Sequence, residues 1–121
     1  MNWEEALQLL TEHIVEGLHL DPEANYKIIR EIPPYQCRNY NNEMGFRIQV
    51  GEKSLINVPL SMLEAVFNSS VLNENTYNRD VFAQLYPHEI RNKPCYVHSV
   101  GKLFSNARVM EQDSREYNIN L

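Results

Sequence analysis

Between Ser54 and Leu121 the chain carries a dense run of start and stop signals for secondary structure, and these constrain the fold more than any other feature. Ser61 and Glu64 stand three apart in Leu60-Ser61-Met62-Leu63-Glu64, the spacing of a reciprocal capping box, so a helix is expected from Met62. Its apolar positions Met62, Leu63, Val66 and Phe67 recur at one-turn spacing, and Asn68-Ser69-Ser70 then offers turn-prone residues, which predicts a short helix. Asn78 caps a second helix, with Tyr77 and Phe82 placed to form a hydrophobic staple. Val81, Phe82, Leu85 and Tyr86 make its inner stripe, and Pro87, which lacks an amide and disfavours helical geometry at Tyr86, ends it before a turn from His88 to Asn92.

A third helix is expected from Pro94 to Asn106, with Tyr96, Val97, Val100, Leu103 and Phe104 facing inward and His98, Ser99, Lys102 and Ser105 facing outward. Val109 to Glu111 and Tyr117 to Leu121 read as strands joined by Gln112-Asp113-Ser114-Arg115. Strand, three helices and hairpin is the element order of a winged helix-turn-helix. That order serves DNA readers and protein-interaction domains alike, so it points to a binding module without naming the ligand.

Upstream, Asn2-Trp3-Glu4-Glu5 repeats the capping pattern, and Trp3, Leu7, Leu10 and Ile14 recur at helical spacing as far as Gly17. Strands are expected at 26–32 and 46–50, with a long polar connection at 33–45. Gly51-Glu52-Lys53 is short enough to fold the second strand back on Leu55 to Val58 as a hairpin. The expectation is an α+β fold in one domain, 1–121. Residues 1–52 give the N-terminal helix and a small antiparallel sheet, and 53–121 the winged-helix-like part.

With 43% hydrophobic residues the chain can form a core, and no apolar run approaches the roughly 18 residues of a membrane span. The first helix is acidic and amphipathic, unlike a secretory signal, and two cysteines make no disulfide framework; both favour a cytoplasmic setting with free thiols. No phosphate loop, dinucleotide turn, serine elbow or singled-out carboxylate pair is present, so neither an enzyme nor a cofactor is expected. Cys95 and His98 lie three apart on the third helix, but this spacing matches no standard zinc pattern and does not place a base against a thiol.

The net charge of −5 is unevenly placed. Residues 1–24 hold six acids and no lysine or arginine, whereas 77–108 hold Arg79, Arg91, Lys93, Lys102 and Arg108 against only Asp80 and Glu89. In a DNA reader Lys93, His98, Ser99 and Lys102 would reach phosphates or base edges from the third helix, with Arg108 and Arg115 touching the backbone from the wing. The plainer reading, an ordinary solvated helix face, is favoured by the low isoelectric point, near 5.3. The same residues could contact a protein partner or a second copy of the chain. Tyr35, Arg38 and Tyr40, on the polar connection, form the other expected recognition surface.

The run from Tyr77 to Phe82 through Leu85-Tyr86-Pro87, followed by Pro94 to Phe104, resembles small bacterial proteins carried by mobile integron gene cassettes. The resemblance covers roughly the C-terminal half. It implies a bacterial, cytoplasmic, accessory role and brings with it no activity and no functional residues. The function expected is therefore that of a non-catalytic protein-interaction or self-assembly module, with a winged-helix DNA-binding regulator as the alternative.

Overall fold

The computed structural model describes residues 1–23, 25–30, 36–37 and 40–121, and for residue 30 the backbone alone. The chain is α+β. Helix α1 (Trp3–His13) precedes strands β1 (His19–Asp21), β2 (Tyr26–Arg30), β3 (Gln36–Cys37), β4 (Glu43–Val50) and β5 (Ser54–Pro59). Then come α2 (Leu60–Leu72), β6 (Thr76–Tyr77), α3 (Arg79–Leu85), α4 (Pro87–Asn92), α5 (Cys95–Asn106), β7 (Met110–Asp113) and β8 (Glu116–Ile119).

Strand β4 organises the larger sheet, pairing antiparallel with β2, β3 and β5, while β1 pairs with β2. The β4–β5 hairpin forms where expected: Val50 faces Ser54, and Gly51 turns the chain with a φ of +69° that a side chain would resist. Phe46, Ile48, Ile56 and Val58 are buried in this hairpin. Strands β7 and β8 form the expected C-terminal hairpin, tightened to a turn at Ser114 and Arg115, and β6 adds a third strand to it.

Local chemistry caps two of the five helix starts. Asn2 Oδ1 accepts the Glu5 amide at 2.9 Å and Asn78 Oδ1 accepts the Val81 amide at 3.1 Å, as their sequence positions require. Helix α1 stops at His13, one turn before Gly17, and Gly17 forms the following turn with φ +93°.

Helix α2 departs further from expectation. It starts at Leu60 with no side-chain cap of its own, because the Glu43 carboxylate of β4 accepts both the Ser61 amide and the Ser61 hydroxyl. An acid from a neighbouring strand does what Glu64 was expected to do. The helix also runs through Asn68-Ser69-Ser70, since Ser70 Oγ donates to Val66 O at 2.7 Å and satisfies its hydroxyl within the helix. Pro87 ends α3 and also occupies the first turn of α4, so 88–92 is helical where a turn was expected. The unit after β5 therefore has four helices, with β6 inserted, in place of the winged-helix three.

The core is a continuous cluster of buried side chains from Ala6 to Ile119. Phe67 of α2 lies 6.0 Å from the Trp3 ring of α1 and 6.4 Å from Phe104 of α5, joining three helices. Gly45 is required by close packing: a β-carbon there would strike the Val58 carbonyl oxygen and come within 2.7 Å of Pro59 Cα and 2.9 Å of Cys37 Sγ. Gly45→Ala is expected to lower stability by about 1–3 kcal/mol, the usual cost of overpacking. Urea unfolding of the variant against the parent checks this.

Candidate functional site

A cleft of about 330 Å³ lies between strand β5 and helix α4, lined by Tyr40, Leu55, Asn57, Glu89, Lys93 and Tyr96 among others. It exists because β5 pairs only with β4 among the described strands, so the opposite side of β5 is a sheet edge. Unpaired strand edges carry outward carbonyls that need donors. Here the donors are side chains: Lys93 Nζ donates to Leu55 O at 2.8 Å and the Tyr96 hydroxyl donates to Asn57 O at 3.0 Å. Pro94 places both residues, since Lys93 caps α4 and Tyr96 lies in the first turn of α5.

A chain of hydroxyls continues from this edge. The Tyr96 proton is committed to Asn57 O, leaving its oxygen as an acceptor for Tyr40, 3.3 Å away. The Tyr40 hydroxyl also faces Glu89 Oε2 at 3.5 Å, so one proton serves two distant acceptors. Such long bonds are weak. On the rim, His88 Nε2 and Asn92 Nδ2 lie 3.1 Å apart, one turn from each other on α4.

The electrostatics keep this cleft in its neutral-hydroxyl state. Burial raises the Tyr40 and Tyr96 pKa values, and for Tyr40 the bond to Tyr96 and the nearby Glu89 charge raise it further. The bonds to Tyr40 and Asn57 act in the opposite sense at Tyr96, but burial outweighs them. Both phenols are donors at neutral pH.

The expected contact residues are dispersed. Lys93 and Tyr40, assigned to different surfaces from the sequence, meet in the β5 cleft. His98 and Arg115 line a second cavity beside the β7–β8 turn. Arg108 is exposed at the α5–β7 junction, with φ +65°. Lys102 is folded down, donating to Gln112 Oε1 at 2.7 Å with Asp21 Oδ2 at 4.0 Å. Ser99, expected on the outer face of α5, is wholly buried, and β1 is fastened beside it through His98 Nε2 to Asp21 Oδ2 at 2.9 Å and Asn106 Nδ2 to Leu20 O at 2.9 Å. The α5 face proposed to enter a groove is therefore covered at Ser99. Tyr35 and Arg38 lie outside the described residues.

Sequence reasoning missed Tyr96, Glu89, His88 and Asn57. Tyr96 was assigned to the apolar stripe of α5, and its ring is indeed buried, yet its hydroxyl reaches the sheet edge. Buried tyrosines usually place the hydroxyl on an acceptor, which was the available signal.

Burial pushes the Cys37 pKa up to about 11 and raises that of Cys95, so both favour the protonated form over the nucleophilic thiolate. Among the described residues, no group of three or more His, Cys, Asp or Glu is placed to hold a metal ion, and no helix is long and apolar enough to cross a membrane. Comparison with protein-family models, with curated proteins and with solved structures gives no match to this chain.

Burial raises the pKa of every described tyrosine, Tyr26, Tyr40, Tyr77, Tyr86, Tyr96 and Tyr117, the last to about 12. The unfolded chain releases its phenolic protons near pH 10 while the native state holds them. The native state then binds more protons, so stability is unaffected below that pH and falls as pH climbs toward the folded values. In an alkaline titration followed by tyrosinate absorbance and circular dichroism, ionisation of these tyrosines is expected to coincide with cooperative unfolding, not to precede it.

Proposed function

We propose that this chain is a non-catalytic protein-interaction module that takes an extended segment of a partner polypeptide along the outer edge of β5. The observation that carries this reading is the capping of the Leu55 and Asn57 carbonyls by the side chains of Lys93 and Tyr96, with no strand in that place among the described residues. Side-chain caps protect an edge and can be exchanged for the main-chain bonds of an added strand.

The lining suits recognition. Tyrosines such as Tyr40 and Tyr96 offer large, stiff, amphipathic contact area at low entropic cost, and opposite charges at Glu89 and Lys93 would favour a partner bearing complementary charges. A bacterial, cytoplasmic, accessory role, as the cassette resemblance implies, fits a module of this kind. Recognition of DNA is less well supported, since Lys93 and Lys102 are engaged in different places and Ser99 is buried.

The test is selection of displayed random peptides on the immobilised protein, followed by amide NMR mapping. Selected peptides are expected to perturb Ser54 to Pro59 and Tyr40. In antiparallel geometry the Leu55 amide points the same way as its outward carbonyl, so Leu55→Pro should leave the β4 ladder intact yet abolish peptide binding. Peptides that map elsewhere, or bind Leu55→Pro equally, would overturn the reading. Labelled random-sequence duplex DNA is expected not to bind at low salt. Salt-sensitive binding that Lys93→Ala with Lys102→Ala weakens would favour the DNA-binding alternative.

A further inference from the structure

A second cavity, of about 310 Å³, opens between the start of α3, the first half of α5 and the β7–β8 turn. Arg79 and Arg115 line it from two separate elements, together with Pro94, Val97, His98 and Tyr117. In a chain with 16 acidic residues against 11 basic ones, cations normally find carboxylates. Neither arginine makes an ion pair or side-chain hydrogen bond among the described residues. The nearby Glu116 carboxylate instead accepts from Asn78 Nδ2 at 3.0 Å.

Tyr117 contributes to the wall of this cavity. It is 4% exposed, and its hydroxyl is buried without a hydrogen bond. His98 Nε2 is held by Asp21, while no partner engages its Nδ1 among the described residues.

We infer that this cavity binds a small organic oxyanion, a carboxylate or phosphate carried on a compact apolar or aromatic body. The guanidiniums of Arg79 and Arg115 engage the anionic group, His98 supplies a further polar contact, and Pro94, Val97 and the Tyr117 ring pack against the body. Guanidinium groups are suited to planar and tetrahedral oxyanions because they present paired donors in a fixed fork. The volume lies at the small end of ligand sites, which favours a single-ring molecule over a nucleotide. This site is separate from the β5 cleft and does not depend on the function proposed there.

The experiment is a titration of the full chain with phenyl phosphate, benzoate, inorganic phosphate and benzyl alcohol, read by NMR at backbone amides and arginine Nε–H groups. Phenyl phosphate or benzoate is expected to shift the Arg79 and Arg115 side-chain signals and the Tyr117 amide saturably, about tenfold or more tightly than uncharged benzyl alcohol. The preferred anion distinguishes a phosphate site from a carboxylate site, and inorganic phosphate shows what the apolar body adds. Arg79→Gln with Arg115→Gln, both exposed positions, is expected to weaken binding about tenfold or more, while Lys53→Gln leaves it unchanged. Absence of saturable shifts, equal response to benzyl alcohol, or full binding by the double arginine variant would overturn the inference.

Discussion

The enclosure of α5 is the constraint on which the rest of the structure depends. Six of its twelve residues are buried, including Ser99 and Gly101, and the helix packs against α1, α4, β1 and β7. Gly101 also lets Tyr117 of β8 lie so close to the helix that a β-carbon there would run into its ring. A helix surrounded in this way cannot shift without moving both sheets. Its position therefore fixes where the β5 edge, the β7–β8 turn and strand β1 stand relative to one another.

Both candidate sites follow from that arrangement. The first turn of α5 carries Tyr96 toward the open edge of β5, while Val97 and His98, on the adjoining face, line the cavity with Arg79 and Arg115. Tyr77 ties the region together, its hydroxyl donating to Val97 O at 2.7 Å from a fully buried ring. Such buried polar bonds fix orientation as well as adding stability, because an alternative packing would leave a donor unsatisfied. The two cavities are thus organised by a rigid helix, and only their rims are built from exposed side chains such as Lys93 and Arg115.

Much of the secondary structure was legible because its causes are local. Asn2 and Asn78 cap the helices they precede, Gly51 turns the β4–β5 hairpin, and Pro87 ends α3, each through interactions within a few residues. The failures share a different cause. Strands β1, β3 and β6, of two or three residues, have no periodicity of their own and exist only because longer strands supply their hydrogen bonds. Ser61 lost its expected capping partner to Glu43, eighteen residues away, which no spacing rule reveals. Of the expected contact residues, Tyr40 and Lys93 were found without any indication that they share a cleft, and Tyr96 was taken for core alone.

The sequence by itself determined that this chain is α+β, where most helices and the two hairpins lie, and much of the core, because caps, turns and apolar periodicity act over a few residues. Tertiary structure decided which helix face sees solvent and which polar groups meet. The apolar stripe of α5 shows that one face is inside, but only the packing of other elements, among them β1 held through Asp21 to His98 and Leu20 to Asn106, buries Ser99 as well. Burial of a polar face and convergence of distant side chains depend on contacts across the whole chain, and local pattern carries no information about them.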